Sequence, residues 1–420
     1  MAWAEIEKAF KMEKTKRDFP FICDVEACTG CMACLNACRQ SAIIMQQDME
    51  GFLRPSIDDD KCVNCKQCIR ICPANTSDGG TMPIGAYSGW SRDEHTRMRS
   101  SSGGAFFEIA KVVLSKNGVV FGCALNDKQQ AYHTYVTDVE GLSAFQGSKY
   151  VQSYIGDSYS TVKKFLDEQR DVLFSGTPCQ VAGLQHFLHK KYERLYTVDI
   201  VCHGVPSPMV FEDYKRFLEQ KEESEIKNFR FRDKQYSWFF FNTKVVFRKN
   251  TAYIGTYYED PYLRGFLRDL FLRPSCHHCQ YTSLYRQSDF TLADWWGYKK
   301  KKTDDKDYFR KGVSLILVNS EKAQRILDET NMCLHAQSLE DAKKTNKCFS
   351  SSFPVPSGRA QFWKDYHSIP FYQLIQKYMY PERNTLIGNK ILNKHVNSEP
   401  LLFCTRQLNR FHRLIRKILR

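Results

Sequence analysis

The 420-residue chain has no run of about 18 consecutive apolar residues, the least a membrane-spanning helix needs. Its first segment, Met1–Arg17, has no apolar core of the kind a secretory signal requires. Together these absences predict a cytoplasmic protein. Phe229–Phe247 mixes aromatic with basic residues but contains no RNP-type consensus, so nucleic acid is not an expected partner. A strand pair with its aromatic face in a core explains the alternation of Phe229, Arg230, Phe231 and Arg232, and the segment reads as a hairpin. Acidic residues are missing from the last twenty positions, which hold Arg406, Arg410, Arg413, Arg416, Lys417 and Arg420. Part of the formal charge of +14 is therefore a property of the tail.

Cysteine, by contrast, is abundant, with 17 residues. In an intracellular chain these are expected to be metal ligands and reduced thiols rather than disulfides. Eight of them form two copies of C-x2-C-x2-C-x3-C: Cys28, Cys31, Cys34, Cys38 and Cys62, Cys65, Cys68, Cys72. This spacing is that of a bacterial-type ferredoxin with two 4Fe-4S clusters, in which the fourth cysteine of each run ligates the other cluster. Cys28, Cys31, Cys34 and Cys72 are thus expected to hold one cluster, and Cys62, Cys65, Cys68 and Cys38 the other. Zinc usually pairs two C-x2-C knuckles across a longer gap and needs only four ligands. Pro73 follows Cys72 as in the ferredoxin pattern, whereas Arg39 follows Cys38. Each oxidised cluster with its thiolates carries about −2, so two or three clusters lower the effective charge to roughly +8 to +10.

The ferredoxin needs only residues 19–82, a small α+β unit, after a leader over residues 1–18. Thr76–Gly89, rich in glycine, serine, threonine and proline, reads as a linker, and Ser350–Gly358 as a second break. Between them, over residues 83–350, apolar runs at Gly118–Leu125, Asp171–Gly176, Tyr196–Cys202 and Val313–Val318 alternate with amphipathic stretches such as Val181–His189 and Glu321–Glu329. That alternation predicts an α/β domain with a substantially parallel sheet. Residues 351–420 form a basic extension, in which the apolar residues Cys404, Leu408, Phe411, Ile415 and Ile418 recur at helical spacing. Such a helix either docks on its own domain or makes peripheral contact with an anionic membrane.

Ser101, Ser102, Gly103 and Gly104 precede the helical stretch Ala105–Leu114, where exposed backbone N–H groups could receive a phosphate; serines also cap helices for structural reasons alone. Cys179 and Cys202 follow apparent parallel strands, and Cys276 and Cys279 make a further C-x2-C. Loops at the carboxyl ends of parallel strands are where α/β folds place their sites. Four such thiolates suit a third 4Fe-4S cluster or a zinc ion, and inert burial of Cys179 and Cys202 is the remaining reading. Cys123, Cys333, Cys348 and Cys404 read as packing residues, and Cys23 as dispensable for ligation.

The strings Ser101–Gly104, Gly147-Ser148-Lys149-Tyr150, Phe174–Gln180, Cys202–Ser207 and Ser288–Gly297 resemble, in order, those of the coenzyme F-420 hydrogenase/dehydrogenase beta subunits, over Pro83–Lys347. The resemblance implies a flavin-binding domain. It places Ser101, Ser102, Gly103 and Gly104 at the FAD pyrophosphate and Gly147, Ser148, Lys149 and Tyr150 along the flavin. Thr177 and Pro178 fall near the ring, and Cys179, Cys202, Cys276 and Cys279 around an adjacent 4Fe-4S cluster. Lys149 is then a candidate to stabilise negative charge on reduced flavin, and His203 a candidate proton donor, with a hydrogen-bonded structural histidine as the alternative. The expected function is an iron-sulfur flavoprotein oxidoreductase acting on a small-molecule substrate, with an external electron donor such as ferredoxin or a deazaflavin. The alternative is an electron-transfer subunit or scaffold without flavin chemistry of its own.

Overall fold

The computed structural model describes residues 21–76, 79–296 and 307–380. The leader and the apolar stripe from Cys404 to Ile418 lie outside the described residues.

The cysteine-rich module repeats its own backbone. Met32 and Lys66, each directly after the second cysteine of its run, adopt the left-handed conformation (φ 61° and 59°) and open the short helices Ala33–Ala37 and Gln67–Arg70. Strands β1 (Ile43–Gln47) and β2 (Leu53–Ile57) pair antiparallel beside them.

The larger part contains β3 (Gly85–Ser91), β4 (Val119–Leu125), β5 (Ala131–Val136), β6 (Val172–Ser175), β7 (Leu195–Ile200), β8 (Ile226–Asp233), β9 (Asn242–Phe247), β10 (Ala252–Thr256), β11 (Phe290–Asp294), β12 (Ser314–Val318) and β13 (Met332–Ala336). Eight of these form one sheet in the order β13-β3-β12-β11-β7-β6-β4-β5. Three of the seven pairings, β4–β6, β6–β7 and β7–β11, are parallel and the other four are antiparallel. The sheet is therefore mixed rather than substantially parallel. A short apolar run such as Ser314–Val318 is buried along its whole length in either direction, so its residues do not encode which way it runs.

The expected linker Thr76–Gly89 also ends early, because its last five residues begin β3. Glycine serves close packing there: a Cβ on Gly89 would lie 2.6 Å from the Cys333 carbonyl oxygen on the neighbouring strand. On one face of the sheet the helix Ala105–Ser115 buries Ile109, Ala110 and Val113 against Val120, Leu173 and Ile316. On the other, the helices Ser158–Asp167 and Pro178–Leu188 share a core with Cys31, Met32, Ala33 and Ile71 of the ferredoxin module, which is thus packed into the sheet domain.

The Phe229–Phe247 hairpin is present as β8 and β9, extended by β10. Phe229 and Phe231 are buried beside Phe211, Tyr262 and Phe271, so the aromatic alternation serves a core. Phe362, Trp363, Leu374, Ile375 and Met379, from the segment beyond Ser350, complete that core.

Candidate electron-transfer site

The cysteines that could hold clusters fall into three sets. The inner ferredoxin set consists of Cys28, Cys31, Cys34 and Cys72, which line one cavity together with Ile22, Met32 and Pro73. All four are buried. The fourth cysteine of the second run thus joins three from the first, as the crossed pattern requires, and the apolar lining suits a cube that takes one thiolate per iron. Cys23 sits at the same cavity. Its thiol, held protonated, donates to Cys28 and Cys72 and lowers the pKa of each, and the Arg273 charge lowers that of Cys28 further. Burial pushes Cys31 up to about 12 and raises Cys34, so cluster assembly there must displace protons. In the outer set, Cys68 lies close enough to Cys38 and Cys65 for their charges to raise its pKa, after the larger effect of burial. The Ala42 amide donates to Cys38 Sγ at 3.3 Å.

The third set stands at the carboxyl ends of the parallel strands. After β6, Thr177 and Pro178 open the helix Pro178–Leu188 through a capping box, with the Thr177 amide donating to Gln180 Oε1 at 2.9 Å. Cys179 lies in this first turn, its Sγ 3.1 Å from Thr177 Oγ1. After β7, the Val201 amide bonds the Leu292 carbonyl and Cys202 follows. Cys276 lies in a short 3-10 turn, Pro274–His278, closed by Cys279, and the Val205 amide donates to Cys276 Sγ at 3.3 Å. Burial raises all four thiols, to about 12 for Cys276 and about 11 for Cys279, and mutual charge adds to the rise: Cys202 feels Cys276, Cys179 and Cys279. Among the described residues no three His, Cys, Asp or Glu side chains close around a single-ion position. A cube binds each thiolate to its own iron, so its ligands need not converge on one point.

Arg286 holds two of these loops together. Its guanidinium donates to the carbonyls of Tyr281 and Ser283, just after Cys279, and to that of Ile200, just before Cys202. Asp199 lies 2.9 Å from Nη2 as the buried counter-charge, in ion-pair contact but outside hydrogen-bond geometry.

Beside the third set lie the two strings expected along a flavin, and they touch: the Ser148 amide donates to Ser101 Oγ at 2.7 Å, and the two hydroxyls are 2.9 Å apart. Gln180 Nε2 donates to Ser153 Oγ at 3.0 Å, linking the chain three residues beyond Tyr150 to the helix that carries Cys179. Gly147 has φ 85° and open space where a Cβ would be, so a ligand can approach its backbone. Tyr150 stacks on Phe266 with ring centroids 4.9 Å apart. Lys149 Nζ donates to the Ala144 and Gln146 carbonyls, and burial lowers its pKa to about 8.

Gly103 and Gly104 face elsewhere. A Cβ on Gly103 would lie 2.3 Å from the Gly89 carbonyl oxygen and 2.7 Å from the Ser314 amide, so this glycine lets the helix start press against the sheet. Ser102 Oγ donates to the Val313 carbonyl. Glu108, buried in the first helical turn, accepts from Ser91 Oγ at 2.5 Å, so an acidic side chain already occupies that helix start. His203 Nε2 lies 2.6 Å from Asp269 Oδ1, its ring against Phe266 and Phe353.

Residues 27–76 match the model of a 4Fe-4S dicluster domain. Residues 169–342 match the model for the C terminus of the beta subunits of coenzyme F420 hydrogenase/dehydrogenase. The chain carries a domain of this beta-subunit family behind a two-cluster ferredoxin module. No curated protein matches the chain. A solved structure of the F420-reducing [NiFe] hydrogenase complex from Methanosarcina barkeri, a xenon derivative, contains a chain 13% identical, covering 64% of this chain and 90% of its own length with a TM-score of 0.44. A likeness that loose carries no functional weight.

Within the beta-subunit domain, sequence reading passed over Arg273 and Arg286. An isolated arginine carries no spacing, and only its burial, 0% and 3% exposed respectively, marks these two out. Asp294, in the family string Ser288–Gly297, accepts from Arg232 Nη1 at 2.5 Å and from Trp238 Nε1 at 2.6 Å, tying β11 to the aromatic sheet.

Proposed function

We propose that the protein is an iron-sulfur flavoprotein oxidoreductase in which electrons pass between the two ferredoxin clusters and FAD through a third 4Fe-4S cluster on Cys179, Cys202, Cys276 and Cys279. The observation that carries this reading is the position of Cys179. Its charge acts on Cys31 of the inner set on one side, and on the other its helix is bonded to the Gly147–Ser153 segment. FAD, when bound, joins the one-electron chemistry of clusters to two-electron chemistry of an organic substrate. Ser101, Ser148, Tyr150 and Thr177 would hold it, Gly147 would admit its approach, and the Lys149 ammonium would favour negative charge beside it. Membership of the beta-subunit family supports a deazaflavin such as coenzyme F420 as the two-electron partner.

A second reading, an electron-transfer subunit without its own flavin, is favoured by Glu108 and the packed Gly103, which leave the helix start at Ala105 poorly suited to a pyrophosphate. Anaerobically purified protein should contain iron and acid-labile sulfide at about 12 per chain each, against about eight for two cubes. It should also release one FAD on heating. Zinc in place of the last four irons would refute the third cluster. Reconstituted protein that takes up no flavin establishes the electron-transfer subunit instead.

A further inference from the structure

Arg273 is fully buried, and its main chain and side chain belong to different cysteine sets. Its amide donates to the Val205 carbonyl and its carbonyl accepts from the Cys276 amide, both at 2.9 Å, so the backbone is part of the third-set loop. The side chain crosses to the inner ferredoxin set. Nε donates to the Cys28 carbonyl at 2.7 Å, and Nη2 to the Leu53 carbonyl at 3.1 Å and to Cys28 Sγ at 3.4 Å. The guanidinium lies 5.4 Å from the centroid of the Phe52 ring. Nη1 is buried with no hydrogen-bond partner.

Gly30 makes this approach possible. It has φ 69°, and a Cβ there would lie 2.7 Å from Arg273 Nη1 and 2.5 Å from Gln152 Nε2. A side chain at Gly30 would push the guanidinium off the cysteine loop. A buried guanidinium needs a counter-charge, and the groups it reaches here are carbonyls and a cysteine sulfur.

We propose that Arg273 is a positioning residue for redox chemistry: its guanidinium is the counter-charge of the inner ferredoxin cluster and holds that cluster's reduction potential up against the effect of burial. An electron passed inward from an outer cluster would take an inner cluster with its thiolates from about −2 to about −3. Burial disfavours the added charge, because the low-dielectric surroundings solvate it poorly. A fixed cation and an N–H···S bond favour it. The outer set, with Cys65 exposed, needs no such compensation. Arg273 therefore allows the inner cluster to be buried against the sheet domain and still accept an electron from its exposed neighbour. Its positive charge also acts on Cys179 and Cys276. That second effect rests on the proposed third cluster, whereas the first does not.

The test is an EPR-monitored redox titration of the full-length holoprotein, with the Cys65→Ser variant identifying the outer cluster's signal. Arg273→Met should shift the inner cluster's midpoint to more negative potential and leave the outer cluster's unchanged. Arg273→Lys, which keeps the charge and loses the planar fork, should restore most of the shift. Arg273→Gln, which keeps a donor without the charge, should behave like Met, and is read if the Met variant takes up less iron. Equal shifts in both clusters, or none in either, would overturn the proposal. So would loss of inner-cluster iron from both neutral variants, since Arg273 would then serve assembly rather than potential. Absence of a third cluster would appear separately, as about eight irons in the unmodified protein, and would leave the inner-cluster result standing.

Discussion

Asp260 shows how a single side chain under the candidate site responds to pH. It caps the helix Pro261–Leu267, accepting from the Leu263 amide at 2.8 Å, and also accepts from Tyr214 Oη at 2.6 Å. Burial nevertheless raises its pKa to about 6, with the hydrogen bonds opposing the rise. The folded state therefore binds this proton more tightly than the unfolded chain, and its contribution to stability is lost as pH rises from about 4 to about 6, at no more than about 1.4 kcal/mol per pH unit. His133, which burial pushes down to about 4, works in the opposite sense over an overlapping range. The decisive quantity is thus a difference. Followed from pH 4 to pH 7, the thermal midpoint of the unmodified protein should fall relative to that of Asp260→Asn as pH rises toward about 6, and parallel profiles would refute it. Nothing about Asp260 is legible in the sequence, because an aspartate at a helix start is ordinary and only burial makes it titrate there. The same holds for Arg273 and Arg286. The eight ferredoxin cysteines are legible because their chemistry is written in spacing.

At the scale of elements, the helix Pro178–Leu188 is where ferredoxin and sheet domain meet. Gly183 allows it: a Cβ there would lie 3.0 Å from Tyr159 Oη, 3.0 Å from Cys31 Cβ and 3.1 Å from Cys31 Sγ. Tyr159 cannot easily yield, since its hydroxyl bonds the Cys31 and Gln180 carbonyls at 2.8 Å each. In an exposed helix, Gly to Ala stabilises by about 1 kcal/mol. Here Gly183→Ala should lower the thermal midpoint despite that gain, and Gly183→Leu should lower it further, at a cost of about 1–3 kcal/mol from overpacking. An unchanged or raised midpoint in the Ala variant would show that the ferredoxin module is not seated on this helix. The helix itself was readable from its apolar spacing, as were β4, β6, β7 and β12, since each carries a run that has to be buried. Strand β3 was not readable. Its glycines and serines resemble a linker, and they are there because strand, helix start and neighbouring strand come too close for side chains. The touching of Ser101 and Ser148, 47 positions apart, was suggested only by family resemblance, since no local pattern links two loops across a sheet.

For the whole molecule, the order of the cysteine sets fixes where an external one-electron partner can approach. The inner set is buried and the third set half-buried, whereas Cys65 is exposed beside Val63, which is 63% exposed. Arg39, Lys61, Lys66 and Arg70 are exposed around this outer set. Lys61 is 2.8 Å from Asp58, a pair that a surface position leaves weak. The formal charge of +14 thus includes a basic rim at the set that holds Cys65, the exposed cysteine among the described residues, in addition to the tail, whose role lies outside the described residues. Such a rim steers an acidic carrier: it raises the association rate more than the final affinity, and salt weakens it within a Debye length of about 8–10 Å. Stopped-flow mixing with a reduced acidic ferredoxin should therefore give a second-order rate constant that falls steeply with ionic strength. Arg39→Glu with Lys66→Glu should lower it by at least tenfold at low salt while cluster content stays constant. Reduction by dithionite, a small reductant that needs no docked orientation, should change far less in that variant. If the carrier's rate is independent of salt and of both substitutions, electrons enter elsewhere, and the exposed Cys65 cluster is not the port through which the other two sets are reached.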